Sequence, residues 1–252
     1  STLNPQLSTL NSQPSTLNSH SPMSSLLLRS LSDLLFPRHC VACDRRLSVG
    51  EQYLCAVCQL ILPRVHVDWT DNFRAEQWFA CRQVERVVGF AWFKHISVTA
   101  KLVHRLKYGG HPELGVWMGR MAAKELSCTD AFGGVEALVP VPLSRQRYKQ
   151  RGYNQAEQIA KGIGEVMHLP VIADAVERVL NAESQTRFGR ERRMENAAHV
   201  FRLANAAPLF CRHVMIVDDV MTTGSTMDAM VAELRQISDI RISIFAWGWT
   251  AD

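Results

Sequence analysis

No stretch of 18 consecutive apolar residues occurs in the 252-residue chain, so no transmembrane helix is expected. The best apolar segment, Leu26–Phe36, is broken by Arg29 and Asp33 and lacks a basic leader and a small-residue cleavage site. No signal peptide and no membrane insertion are therefore expected. No strong charge excess exists either: 28 Lys and Arg against 24 Asp and Glu give +4, which permits contact with phosphate or nucleic acid without demanding it. GxxxxGK[ST] is absent, which excludes a P-loop ATPase, and neither GxSxG nor a protein-kinase set is found. The nine His contain no HxxxH pair. The seven Cys, odd in number and unevenly spaced, make no secreted disulfide framework, so a reducing, cytoplasmic setting is expected. Hydrophobic residues at 47% and charged residues at 21% exclude wholesale disorder.

What is present begins with a repeat. STLN recurs at Ser1–Asn4, Ser8–Asn11 and Ser15–Asn18. Each unit supplies one Leu, too few for a coiled-coil seam, and Pro5 and Pro14 break any helix, so residues 1–22 read as a disordered tail. Residues 23–62 read as a docking helix, Ser24–Phe36, followed by a cysteine knuckle, and residues 63–84 as a linker. From residue 85 to 252 the pattern is α/β. Strands are expected at Val87–Phe93, Ala137–Val141, Leu209–Val217 and Ile240–Trp247, with Val171–Leu180 extended. Helices are expected at Val98–Lys107, Glu113–Leu126, Asn154–Met167 and Thr226–Ile237. Such alternation implies a parallel sheet covered on both faces.

Cys40-x2-Cys43 and Cys55-x2-Cys58 are separated by eleven residues. Each CxxC turn aims two sulfurs at one ion, and two such turns complete a tetrahedron. Four thiolates leave no open position, so Zn²⁺ would be structural here, closing a segment too short to build its own core. Iron is the chemical alternative. His39 stands beside Cys40 but finds the shell already full. Cys81, Cys128 and Cys211 have no partners in register and read as small buried hydrophobes. Trp247 and Trp249 read as sheet packing.

Val214–Thr226 carries the most chemistry. An apolar strand ends in Asp218 and Asp219, and a turn with Val220, Met221, Thr222, Thr223, Gly224, Ser225 and Thr226 runs into a helix. Hydroxyls and free N–H groups at a helix start form a phosphate cradle, and Gly224 permits close backbone approach. The carboxylates would repel phosphate but accept hydrogen bonds from sugar hydroxyls, so the segment describes a ribose 5-phosphate site at the carboxyl end of a strand. It resembles the phosphoribosyl pyrophosphate (PRPP) motif of type I phosphoribosyltransferases.

The rest of the chain narrows the resemblance. Leu138–Gln155, Leu106–Gly110, the double CxxC, and Ser184, Gln185, Arg193, Asn196 and Phe201 together resemble the ComF family, the ComFC/GntX-like proteins linked to DNA uptake and competence. The chain departs from the family at Leu180 and Ala182, where a second basic residue and a Thr are usual. The resemblance implies a type I phosphoribosyltransferase-like parallel sheet flanked by helices, with a small N-terminal zinc-ribbon domain built on the four cysteines. It implies Asp218 and Asp219 as catalytic residues and PRPP, or a related ribose phosphate, with Mg²⁺ as ligand. Lys107, Arg151, Gly152, Tyr153 and Asn154 would face pyrophosphate, and Gln185, Arg190 and Arg193 would sit in a lid.

Two basic stretches, Ser144–Tyr153 and Arg187–Arg193, read as loops. They would bind phosphate ligands, or track nucleic acid with Tyr148, Tyr153 and Phe188 as stacking faces, or form a solvated face. The expectation is thus a phosphoribosyltransferase acting on an unknown nitrogen acceptor. Its rival is a non-catalytic module binding single-stranded DNA and DNA-uptake proteins.

Overall fold

The computed structural model describes residues 37–65, 84–179 and 200–250. The repeat, the docking helix, Cys81, Phe188 and the lid residues Gln185, Arg190 and Arg193 lie outside the described residues.

The described chain opens with the cysteine unit, which contains a short helix α1 (Ala56–Leu60). Strand β1 (Arg86–Phe93) follows, then helices α2 (Val98–Tyr108) and α3 (Pro112–Leu126). Next come β2 (Ala137–Pro140), α4 (Arg145–Arg151) and α5 (Gln155–Met167). The chain continues through β3 (Val176–Arg178), β4 (Phe201–Leu203), β5 (His213–Met221), α6 (Ser225–Leu234) and β6 (Arg241–Thr250). The expected parallel sheet flanked by helices is present: four parallel strands in the order β1-β6-β5-β2.

Alternation along the strands feeds two cores. Met215 and Val217 of β5 face the side covered by Leu102, Met118, Ile159 and Ile163 from α2, α3 and α5. Val214 and Ile216 face Met227, Met230, Val231 and Leu234 of α6. A strand buried on both faces needs apolar residues at every position, which is why Val214–Val217 has no polar member. Trp247 and Trp249 are both buried, on opposite faces. Helices α3 and α5 approach closely because Gly162 has no side chain: a Cβ there would lie 2.0 Å from the Val116 carbonyl oxygen.

The cysteine unit is docked against this domain. The Trp92 N–H donates to the Pro63 carbonyl at 2.7 Å and the Val65 N–H to that of Phe90 at 3.0 Å, so residues 63–65 run along the edge of β1. Arg64 forms a two-pronged ion pair with Glu125, at 2.6 and 2.8 Å. Tyr53 packs against Trp117 with ring centroids 5.3 Å apart. Leu54 and Cys55 share the core of α2, α3 and α5.

Several expectations need correction. The basic stretch Ser144–Tyr153 is no loop but mostly helix α4. Ser144 caps it by accepting from the Arg147 N–H at 3.3 Å, and Gly152, at φ 78°, terminates it in the left-handed conformation. No residue of α4 is buried, so no apolar period announced it. Strand β5 starts at His213, because Ala207–Leu209 form a 3₁₀ turn around Pro208. It also runs on to Met221, which places both Asp residues inside the strand. The antiparallel pair β3–β4 was not expected at Phe201–Leu203. Cys128 and Cys211 are exposed rather than buried. Tyr153 is buried and so offers no stacking face to nucleic acid.

Candidate functional site

The chain leaves β5 through α6 on one face of the sheet and leaves β2 through α5 on the other. After α5 it returns to pair Val171 beside Leu138, on the side of β2 away from β5. The strand order therefore reverses between β2 and β5, and the crevice in which open α/β sheets hold ligands falls at the carboxyl ends of such a pair.

Asp218 and Asp219 stand on the β5 side of that crevice. The Asp219 N–H donates to Asp218 Oδ1 at 2.8 Å, and Lys107 Nζ lies 3.2 Å from Asp219 Oδ2. Burial first, and then the neighbouring Asp219 charge, push the Asp218 carboxyl up to about 8, against the opposing pull of Lys107 and Arg178. Past the acids, Val220 and Met221 are the last strand residues, and their side chains pack into the two cores. Thr222 and Thr223 are exposed, and Thr223 Oγ1 lies 3.2 Å from Ser225 Oγ. Gly224 takes φ 76° as the N-cap of α6, a conformation that favours glycine, and no side chain caps this helix start. Its first N–H groups, with the Ser225 and Thr226 hydroxyls, are what an anion at a helix start would use.

The Arg151–Asn154 segment is an anchor. Arg151 donates to Gln155 Oε1 at 2.7 Å and lies 5.5 Å from the Tyr108 ring centroid. The Tyr153 hydroxyl donates to the Leu106 carbonyl, one residue before Lys107. Asn154 caps α5 by accepting from the Ala156 N–H at 3.1 Å, and donates to the Val141 carbonyl at 3.0 Å. Gly152, Tyr153 and Asn154 thus tie the end of β2 to α2 and α5, and only Arg151 offers a charge.

Sequence reasoning missed Arg178 as a site residue. It ends β3, half-buried, with its guanidinium carbon 5.4 Å from the Phe201 ring centroid. Burial, then the nearby Arg147 charge, weaken its hold on its proton, while Asp218 opposes both. Arg178 and Arg147 therefore add positive potential beside Asp218, which Lys107 supplies from the other side. The available signal was a single Arg inside the extended segment Val171–Leu180.

The raised Asp218 value has a measurable consequence. An unfolded chain releases this proton near the ordinary value of about 3.9, whereas the folded protein holds it until about 8. The native state thus binds more protons in that window, and stability falls as pH rises across it. Asp218→Asn cannot ionise. Its melting temperature is expected to gain on that of the unaltered protein between pH 5 and pH 8.5; a gap that does not widen would contradict the raised value.

The second cluster is the cysteine set. The Sγ atoms of Cys40, Cys43, Cys55 and Cys58 all lie within 4.8 Å of one another, with Cys43 and Cys55 at 3.7 Å. Zinc bound at its usual 2.3 Å in a tetrahedron separates sulfurs by about 3.8 Å, so the set fits the ion. The Cys55 N–H donates to Cys40 Sγ at 3.4 Å. Burial pushes the Cys40 thiol up, but the N–H groups of Cys55, Cys43 and Ala42 outweigh it and bring the thiol down to about 7, favouring a thiolate. His39 turns away, with Nδ1 2.8 Å from the Asp44 carbonyl oxygen.

An open parallel α/β domain with paired acids and a hydroxyl-rich helix start at one strand end, joined to a four-cysteine unit, is the class of protein that these features define. Comparison with known proteins gives its relatives. The chain is 27% identical over 227 residues to competence protein F of Haemophilus influenzae, covering 84% of this chain and 96% of that protein. It is 27% identical over 219 residues to the DNA utilization protein YhgH of Escherichia coli, covering 81% and 92%. Competence protein ComFC of Bacillus subtilis matches at 32% over 90 residues, covering 36% and 34%. The chain is thus homologous to proteins named competence protein F, competence protein ComFC and DNA utilization protein YhgH. No family model matches it. Among solved structures, a purine phosphoribosyltransferase from Pyrococcus horikoshii aligns at a TM-score of 0.32 and 14% identity, covering 66% of this chain and 89% of the other. An allosteric regulatory enzyme of purine biosynthesis aligns at 0.35 and 16%, covering 54% and 25%. Likeness that loose carries no functional weight. No helix among the described residues is long and apolar enough to cross a membrane.

Proposed function

We propose that the chain binds PRPP with Mg²⁺ in the crevice between β2 and β5 and transfers its phosphoribosyl group to a nitrogen acceptor. The observation that carries this reading is the joint arrangement of paired acids and an uncapped, hydroxyl-rich helix start on one strand end. The 5-phosphate sits on Thr222–Thr226. Asp218 and Asp219 hydrogen-bond the ribose hydroxyls, and Asp219 stabilises positive charge building on the ring. Lys107, Arg151, Arg147 and Arg178 surround the departing pyrophosphate with positive charge. Mg²⁺ bound with PRPP would supply charge neutralisation. The acceptor nitrogen forms a bond to C1 as the C1–O bond breaks. The electron pair leaves with pyrophosphate, and the acceptor's proton passes to pyrophosphate or water. The names of the homologues support a place in DNA uptake or utilisation.

A second reading has its own support. Helix α4 carries Arg145, Arg147, Lys149 and Arg151 with no acid, and exposes Tyr148. That surface favours a non-catalytic module that tracks single-stranded DNA.

Calorimetric titration of Mg–PRPP into the zinc-loaded protein separates the two. Saturable binding that Asp219→Asn abolishes is the expected result. Absent PRPP binding, together with salt-dependent oligonucleotide binding, would overturn the first reading in favour of the second.

A further inference from the structure

A groove of about 820 Å³ separates the cysteine unit from α2. One wall is the turn around His39 and Asp44, the other is α2 with Lys101, His104 and Lys107, and Phe93 contributes from the end of β1. Lys101 bridges the walls by donating from Nζ to the Ala42 carbonyl.

Three observations give the groove a chemistry. First, it reaches the ribose site, because Lys107 lines it and touches Asp219 at 3.2 Å. Second, its α2 wall is rich in potential cations, with Lys101, Arg105, Lys107 and His104, while the anionic groups, Asp44 beside His39 and the thiols of Cys40 and Cys43, lie on the opposite wall. Third, it carries a ring platform. Tyr108 is 69% exposed, its ring lies 4.8 Å from that of His104, and Arg151 sits 5.5 Å away. A volume in this range suits a small ligand, and a stacking surface beside cations suits a flat anion.

We propose that this groove is the acceptor site and that it takes a planar nitrogen heterocycle bearing an acidic group. The inference rests on the phosphoribosyl transfer proposed above. The heterocycle stacks at Tyr108 and His104. Its acidic group lies toward Lys101 and Arg105, and its nitrogen is presented past Lys107 to the ribose carbon. The cysteine unit then has a role its closed metal site cannot supply: it forms a wall of the acceptor pocket.

The test uses the zinc-loaded full chain and two probe pairs, orotate against uracil and nicotinate against nicotinamide. Binding is measured by saturation-transfer NMR with Mg–PRPP present and absent. The acid-bearing member of at least one pair is expected to bind tenfold or more tighter than its neutral partner. His104→Glu should abolish that preference and His104→Arg should keep or strengthen it. Tyr108→Ala should weaken the acid tenfold with an unchanged melting temperature. Equal binding of acid and neutral probes, no binding of either, or indifference to both substitutions at position 104 would each overturn the proposal. So would displacement of the acid by a single-stranded oligonucleotide at stoichiometric amounts, which would assign the groove to nucleic acid. If PRPP fails to bind while the acid still responds to position 104, transfer itself is wrong, and the acceptor role falls with it.

Discussion

Serine in place of Cys55, or removal of the metal by a chelator, is expected to unfold the cysteine unit and lower the melting temperature of the whole protein by roughly 10 °C. The reason is continuity of packing. Cys40, Leu54, Cys55 and Cys58 belong to the same apolar cluster as Leu102, Leu106, Leu114 and Met118. Inside the unit the fold rests on a few backbone bonds, such as Val41 N–H to the Tyr53 carbonyl and Leu47 N–H to the Arg38 carbonyl. Glu51 accepts from the Ser48 and Ala56 N–H groups at 2.7 and 2.6 Å, and α1 spans only five residues. Loss of one thiolate would leave three sulfurs crowded around an incomplete shell and open a flank of the domain core to water. At about 2–4 °C per kcal/mol for a protein of this size, losing about 4 kcal/mol of docked packing gives the stated shift. Thermal melts with a zinc-release assay check it. A Cys55→Ser protein that melts with the parent would mean that the ion is dispensable to the fold.

The same cluster shows why part of this molecule was legible from sequence and part was not. The parallel sheet announced itself because strands buried on both faces have no polar positions, as in Val214–Val217. The metal set was legible because its geometry is local, two residues within each CxxC turn. The uncapped helix start was legible for the same reason: Gly224 and its flanking hydroxyls are neighbours in the chain. Helix α4 was missed because a helix with no buried residue has no apolar stripe. Tyr153 was misread because its neighbours Arg151 and Asn154 suggested a ligand loop, whereas its hydroxyl reaches Leu106, 47 residues earlier. The groove was invisible because its walls, Ala42 and Lys101, lie 59 residues apart. Arg178 is the sharpest case, since its meaning depends wholly on which strand end it meets.

Arg178→Met is expected to weaken Mg–PRPP binding about 100-fold while leaving the melting temperature unchanged or higher, because one charge-assisted hydrogen-bonding group contributes about 1.5–3 kcal/mol. In the free protein the guanidinium is poorly served. It is half-buried, Arg147 repels it, and no carboxylate lies within ion-pair distance among the described residues. Asp218 is the acid that favours it, and that acid's value is itself raised to about 8, so near neutral pH it is mostly uncharged. What remains is the face of Phe201, 5.4 Å away. Met keeps the stem packed on that ring and discards the charge, so folding loses little. An anion in the crevice would reverse the balance, drawing Arg178, Arg147 and Lys107 onto one polyphosphate. The site thus holds its cation at some expense to the free fold, as binding sites commonly do. Arg178→Lys restores a point charge without the planar fork and should recover only part of the affinity. Calorimetry of both variants alongside melts decides it: unchanged affinity in Arg178→Met would remove Arg178 from the site, and a large drop in melting temperature would make it structural.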